Sequence, residues 1–308
     1  MPLTEAGVCL ELFRDWLREA RGQTIEVSQA KGSDESTLSA LATAEGRSLA
    51  IEVRSLLPAP EADWAARRRE LEERLAEQLE GRFALWLPPG ADLPAAGDAP
   101  AFLAAATGAA RTLRPDQRST LDLPVTLYLR KLRDEGGVVS VIGSLDRYWT
   151  TISEGVSGSF DLDSTRLKRL PVGEDHRQLL FQRIRETANQ VKAAGEWAEI
   201  ETIDAWTLQR LADADANEFA VIGRPQSQLR DIGSALRRNF RRLLAEAAPA
   251  LRSAQAERRA LVVLGIFPYA EFETASLALR GYDPAVYAGI DFICLAVDGQ
   301  IKPLVAAI

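Results

Sequence analysis

Helical and strand-like patterns alternate along residues 1–90 in an order that restricts the fold. Residues 5–21 carry apolar side chains at helical spacing, and Gly22 follows as a helix stop. Four strand-like segments and one charged helix complete this region: strands at 24–28, 38–43 and 48–56, the helix at 61–80, and a strand at 82–87. Three strands followed by a crossover helix and a further strand predict a mixed sheet with helices on its faces.

The middle of the chain is rich in strand signals. Residues 88–101 are dominated by Pro, Gly, Ala and Asp, which is typical of a linker, and a short helix is expected at about 100–111. Strands are expected at 125–132 and 138–142. We therefore divide the sequence into an N-terminal α/β region, a linker with a β-rich middle, and a C-terminal α/β region: residues 1–90, 91–172 and 173–308.

The last third repeats an α/β rhythm. It predicts a helix, two strands, a long helix, a strand and a further helix, at 175–194, 197–203, 218–223, 226–248, 260–266 and 270–280. Asp298-Gly299 between two apolar runs predicts a hairpin over residues 290–305. The fold class is therefore α/β (α+β), with mixed β-sheets flanked by helices. Two arrangements stay open: a second, similar α/β unit at the C-terminus, or one larger sheet that both ends of the chain complete.

Rare residues exclude several kinds of chemistry. The chain has one histidine, His176, and two cysteines, Cys9 and Cys294. A zinc site needs about four nitrogen or sulfur ligands at close spacing, and these residues do not supply them. His176 stands among charged neighbours and is expected on the surface. The two cysteines, far apart in sequence, fit a reducing cytosol and are expected to be buried small hydrophobic residues.

Cofactor and membrane signals are also missing from the sequence. No Walker-type or dinucleotide-binding glycine loop occurs, so ATP, NAD and FAD are not expected, and no cofactor is assigned. No signal peptide or apolar run of membrane length is present, so we expect a cytoplasmic protein without a membrane partner. The alanine- and arginine-rich usage suggests a bacterial source.

The main candidate for chemistry lies in the third predicted strand. Glu52 and Arg54 are two residues apart there, so alternation places both on one face of the sheet. Asp34 and Glu35 stand just before the strand expected to pair with this one. The structural alternative is a solvated ion pair on a half-exposed strand.

This arrangement over about 85 residues resembles the PD-(D/E)xK nuclease-like superfamily. The resemblance implies a restriction-endonuclease-like N-terminal region in which Glu52, Glu35 and Asp34 hold Mg²⁺. Arg54 occupies the position of the motif lysine, and an arginine cannot act as a base because it stays protonated. The expected upstream acid is a serine, Ser36, with Asp34 and Glu35 adjacent to it.

A second candidate is the arginine-rich helix predicted at 226–248. One face is apolar, and the opposite face carries Arg230, Arg237, Arg238, Arg241 and Arg242. Residues 226–260 hold eight arginines against three acids, a local charge of +5 in a chain of net charge −7. This face is either a phosphate-binding or acidic-partner surface, or the solvated side of a core helix.

Asp161 and Asp163 form a third feature, two carboxylates on one face of a short strand, and such a pair can hold a divalent ion. The neighbouring Ser157, Gly158 and Thr165 are equally typical of the edge of a polar loop.

Taken together, the sequence favours a nucleic-acid-associated or assembly module with a nuclease-like fold and no catalysis. The first alternative is an active Mg²⁺-dependent phosphodiesterase that uses Glu52 with Asp34 or Glu35. A second alternative is a scaffold or oligomerisation protein that binds a protein partner or forms a homo-oligomer.

Overall fold

The computed structural model of the chain describes residues 3–34, 37–95, 97–171, 173–212, 216–229, 236–265 and 283–306. Two compact units are formed: the first combines Met1–Ser119 with Thr207–Ile308, and the second is Thr120–Trp206. This division differs from the sequence-based segments, because the chain leaves the first unit and later returns to it. Both boundaries between the units lie within strands, β5 and β8, and not in linkers that the sequence composition would reveal. The segments expected from sequence were residues 1–90, 91–172 and 173–308.

Single helices and runs of one to three strands follow one another along most of the described residues. In chain order they are α1 (Glu5–Arg21), β1 (Ile25–Asp34), β2 (Thr37–Ala44), β3 (Arg47–Ser55), α2 (Ala62–Ala76), β4 (Arg82–Trp86), α3 (Ala99–Ala110), β5 (Arg118–Arg133), β6 (Val138–Gly143), α4 (Trp149–Ser153), β7 (Ser159–Ser164), α5 (Glu174–Gln190), β8 (Trp197–Arg210), β9 (Glu218–Ile222), α6 (Gln226–Leu229), α7 (Leu236–Ser253), β10 (Arg258–Leu264), β11 (Phe292–Val297) and β12 (Gln300–Ala306).

Helix α1 has the boundaries that its sequence predicts. The Thr4 hydroxyl accepts a hydrogen bond from the Gly7 amide at 3.0 Å, which satisfies one of the free amides of the first turn. Gly22 ends the helix in the left-handed conformation, at φ 66°. Its apolar stripe is buried, including the fully covered ring of Phe13. Local pattern therefore determines this element.

The predicted helix over residues 226–248 begins where α6 begins, at Gln226, and differs from the structure further along the chain. Helix α6 ends at Leu229 and α7 begins at Leu236, while residues 230–235 lie outside the described residues. Helix α7 continues beyond the predicted end, to Ser253. The helix predicted at 270–280 also lies outside the described part of the chain.

The first sheet joins both ends of the chain. Its order is β1-β2-β3-β10-β11-β12. Strands β1, β2 and β3 form an antiparallel meander, and β10 runs parallel to both β3 and β11. The β11–β12 hairpin turns at Asp298 and Gly299, both at positive φ. Of the two arrangements left open by the sequence, the structure shows the larger sheet completed by both ends.

The two faces of this sheet have different covers. On one face, α1 packs against alternate residues such as Ile51 and Val53, together with Ala84 and Trp86 of β4. On the other face, α7 packs through Phe240, Leu243, Leu244, Ala247 and Leu251 onto Ala50 and onto strands β10 and β11. Because side chains alternate along β3, Glu52 and Arg54 lie on the same face as Ala50, on the α7 side.

Strand β4 does not join the sheet that its place in the sequence predicts. It pairs in parallel with β9, and antiparallel with the end of β8 at Thr207–Arg210. The position beside β3 is taken by β10 instead. Strand β4 is almost entirely buried, and an apolar run of this kind indicates burial without indicating its partner.

The second unit is a sheet with helices on one face. Within this unit the strand order is β6-β7-β5-β8, with β6 parallel to β7 and β5 antiparallel to β7. Helices α4 and α5 cover the inner face through Ile152, Leu180, Phe181, Ile184 and Ala188. The opposite, outer face carries the alternate residues of each strand.

No helix within the described residues has both the length and the apolar character needed to cross a lipid bilayer.

Candidate anion-binding cleft

Glu52 lies in the middle of β3, and both of its carboxylate oxygens contact a neighbour. Ser39, directly opposite on β2, donates its hydroxyl to Glu52 Oε1 at 2.5 Å. Arg54 places Nη2 at 3.0 Å from Glu52 Oε2. The carboxylate is buried, whereas the side chain of Arg54 is 31% exposed. The predicted ion pair between Glu52 and Arg54 therefore exists, and its carboxylate is shielded from water while its guanidinium is partly exposed.

These contacts limit what Glu52 can do. A magnesium ion would have to approach a carboxylate oxygen that already lies against a guanidinium, and the two cations repel each other. Arg54 also stays protonated, so it cannot take a proton from water. In this arrangement Glu52 serves to orient the partly exposed Arg54.

The predicted acidic partners of Glu52 are only partly within the described structure. Asp34 is the last residue of β1, with its backbone opposite Thr37 of β2. The side chain of Asp34 and the whole of Glu35 lie outside the described residues, so the metal site of Glu52, Glu35 and Asp34 stays a prediction. Among the residues that the structure does describe, no group of three or more His, Cys, Asp or Glu side chains is arranged to bind a metal ion.

The arginine face of α7 points away from the core. Arg238, Arg241 and Arg242 are exposed, while Phe240 and Leu244 of the same helix are fully buried. Arg242 lies 3.9 Å from Glu246, one turn further on, in a pair exposed on both sides. Of the other predicted arginines, Arg230 lies outside the described residues, and Arg237 is described only in its backbone.

A polar cleft is lined both by Arg54, the partner of Glu52, and by Arg242 of the arginine face of α7. It has a volume of about 330 Å³ and lies where β3 ends, beside the first half of α7. Its charged lining residues are Arg54, Arg242 and Glu246, and its polar ones include Thr37, Ser55, Gln228 and Asn239. Strands β3 and β10 run parallel here, and ligand sites in sheets of this type often form at the carboxyl ends of the strands.

Sequence patterns did not indicate the polar part of this lining. Thr37, Ser55, Gln228 and Asn239 are single polar residues at the ends of strands and helices, where such residues are common for other reasons. The usable signal was the change from the apolar run of β3 to Ser55, which marks the end of a buried strand. Which helix lies over that end depends on the pairing of β3 with β10.

The first unit also contains a buried ion cluster that no sequence pattern indicates. Glu5 of α1 contacts two guanidinium groups, those of Arg68 on α2 and Arg224 after β9. All three side chains are almost completely buried. Glu5 had the appearance of an ordinary first-turn acid, because its partners stand 63 and 219 residues away.

Comparisons of the chain with protein-family models, with curated proteins and with solved structures found no significant match.

Proposed function

We propose that the chain is a nucleic-acid-binding module that holds phosphate groups on the α7 arginine face and in the cleft, without cleaving the strand. The observation that carries the proposal is that Arg54 and Arg242 line one cleft, while Arg238 and Arg241 are exposed on the same helix. Guanidinium groups bind phosphate oxygens in a planar, two-pronged geometry.

Local charge supports a phosphate ligand. Residues 226–260 carry a net +5, although the whole chain carries −7. Nucleic-acid affinity depends on the arginines that reach the backbone, and acids farther away than the Debye length, about 8 Å at physiological salt, are largely screened. The acid in the cleft is Glu246. Its side chain is about two-thirds exposed, and its carboxylate lies 3.9 Å from Arg242, a distance at which the contact is weak.

The absence of catalysis is proposed from the state of Glu52. Both carboxylate oxygens are in contact, one with the Ser39 hydroxyl and one with the Arg54 guanidinium. An acid in this position holds the Arg54 guanidinium in place, so that Arg54 can bind a phosphate group. Kinship with the PD-(D/E)xK nucleases is part of the proposal. It is supported by the order α1, β1–β3 and α2, and it is weakened by β4, which does not return beside β3.

The test is a binding titration with fluorescent single-stranded and duplex DNA at several salt concentrations. Three exposed arginines predict a slope of log K against log salt of about −3 on duplex. The double variant Arg238→Glu/Arg241→Glu should weaken binding at least about tenfold and flatten the slope by about 2. Arg242→Gln should weaken binding without changing the fold, because its side chain is exposed.

The matched control is Arg111→Glu/Arg114→Glu. Both arginines are exposed, lie in the same unit as α7, and give the same change in net charge. If the control pair weakens binding as strongly as the α7 pair, the titration reports net charge only and the proposal fails. Absence of any salt-dependent binding also overturns it.

The same mixtures decide the alternative of a Mg²⁺-dependent phosphodiesterase. That alternative is favoured by the backbone position of Asp34, which ends β1 opposite Thr37, two residues along β2 from Ser39, the residue opposite Glu52. Incubation with Mg²⁺ or Mn²⁺ should leave the DNA intact. Cleavage that is lost in Glu52→Gln would replace the binding module by the enzyme.

A further inference from the structure

The outer face of the sheet in the second unit is open and carries a distinct set of side chains. Phe160 and Leu162 of β7 and Ile200 of β8 point into the core, so the residues between them point outward. Strand pairing places Asp161 opposite Arg130 and Asp163 opposite Tyr128. The outward residues of these three strands include Tyr128, Arg130, Asp161, Asp163, Trp197, Glu199, Glu201 and Ile203.

Trp197 is the most prominent side chain on this face. It is 61% exposed, which is unusual for a tryptophan in a strand. The guanidinium carbon of Arg130 lies 5.3 Å from the centre of its ring, so the ring already binds one cation. The remaining exposed area of the indole is available to a second cationic group.

The charge of the face is negative. Asp161, Asp163, Glu199 and Glu201 contribute four carboxylates, and Arg130 contributes one positive charge. Asp163 accepts hydrogen bonds from the hydroxyl and the amide of Thr165, at 2.7 Å and 2.9 Å. Those bonds lower its pKa, so it stays ionised at neutral pH.

We propose that this face docks an arginine- or lysine-rich segment of a partner protein. The exposed ring of Trp197 would stack on a cationic side chain, and Glu199 and Glu201, on the same face of β8, would pair with its neighbours. Nucleic acid does not fit this surface, because four carboxylates repel phosphate. The proposal does not depend on the function assigned to α7, which lies in the other unit.

The test uses a fluorescent oligo-arginine peptide with the full-length protein. Trp197→Leu keeps an apolar side chain and removes the ring, so the dissociation constant should rise about 2- to 30-fold. Glu199→Lys/Glu201→Lys should weaken binding more than tenfold at low salt, as expected for two lost ion pairs replaced by repulsion. An oligo-glutamate peptide should not bind.

The matched control is Glu154→Lys/Glu186→Lys, which changes two exposed acids at the helical side of the same unit. It alters net charge by the same amount and should change the peptide affinity less than about twofold. Equal weakening by both pairs, or no effect of Trp197→Leu, would show non-specific attraction and overturn the proposal. Circular dichroism confirms that each variant is folded, and unchanged DNA binding separates this result from a failure of the α7 site.

Discussion

Arg224 binds the Glu5 carboxylate with both terminal nitrogens: Nη1 lies 2.5 Å from Oε1 and Nη2 lies 2.9 Å from Oε2. Arg224 Nε also donates to the Pro58 carbonyl at 2.7 Å. Arg68 donates to Glu5 Oε1 at 3.0 Å. One buried carboxylate thus joins α1, α2 and the segment after β9, with Pro58 as a further anchor.

Removing the charge of Glu5 should destabilise the first unit strongly. Glu5→Gln removes the carboxylate that binds Arg224 and one of the two acids beside Arg68, which keeps Glu72 at 3.6 Å. Breaking a buried ion pair in this way costs about 3–5 kcal/mol. The measurement is the free energy of unfolding in urea. Glu61→Gln serves as the control, because Glu61 is exposed at the start of α2 and its side chain makes no capping bond. A loss below about 1 kcal/mol for Glu5→Gln would contradict a central role of the cluster.

Asp15 should make stability depend on pH. Burial, and then the nearby Asp116 carboxylate, raise the pKa of Asp15 to about 6, although Arg14 and Arg18 oppose the shift. The folded state therefore prefers protonated Asp15, and this contribution to stability is lost as the pH rises from about 4 through 6. Above that range Asp15 is ionised in the folded and the unfolded state, and its cost to the free energy of unfolding no longer changes with pH.

Asp15→Asn should consequently stabilise the protein at about pH 8 by roughly 1 kcal/mol and have a smaller effect at about pH 5. The quantity to compare is the difference in unfolding free energy between variant and parent at the two pH values. Asp98→Asn, at an exposed position, should show a difference that does not vary with pH. A gain for Asp15→Asn that is the same at both pH values would rule out this assignment.

Both cysteines should be unreactive in the native protein. Cys9 and Cys294 are buried and unpaired. Burial raises the pKa of the Cys9 thiol well above its usual value and that of Cys294 to about 12, so neither forms the reactive thiolate at neutral pH. A thiol reagent should label neither cysteine under native conditions and both after unfolding. Rapid native labelling of either residue would show that its cover opens readily.

Asp204 should be coupled energetically to Trp206 in the second unit. Its Oδ1 accepts the amides of Lys168 and Arg169, at 3.1 Å and 2.7 Å, while Oδ2 accepts the indole N–H of Trp206 at 2.9 Å. In Asp204→Asn the oxygen can keep the two amides, but the new NH₂ group faces the indole donor. This unsatisfied pair should cost about 1–3 kcal/mol.

Trp206→Phe removes the donor and should restore part of the loss in the double variant. A double-mutant cycle on unfolding free energies measures this, and a coupling of about 1 kcal/mol or more is expected. Asp122→Asn, at an exposed position of β5, is the control. Additive effects of Asp204→Asn and Trp206→Phe would mean that the indole contact contributes nothing specific.

Local pattern alone determined several elements of this protein. Helix α1, the β1–β3 meander, the hairpin at Asp298-Gly299 and the burial of both cysteines follow from periodicity, capping and turn chemistry within short windows. Strands β1, β5 and β8 extend beyond their predicted limits. The added part of β8, residues 204–209, is buried although it mixes polar and apolar side chains, so no alternation marks it in the sequence.

Tertiary structure alone decided where those elements meet. The apolar runs of β4 and β10 showed that both strands are buried, but the pairing of β10 with β3, and of β4 with β9, depends on contacts between distant parts of the chain. The cleft between Arg54 and Arg242 exists only because β10 brings α7 over the end of β3. Glu5 and Arg224 likewise meet across 219 residues. Neighbouring residues in the sequence carry no record of such pairings, since the free energy that selects them arises from burial shared by segments far apart in the chain.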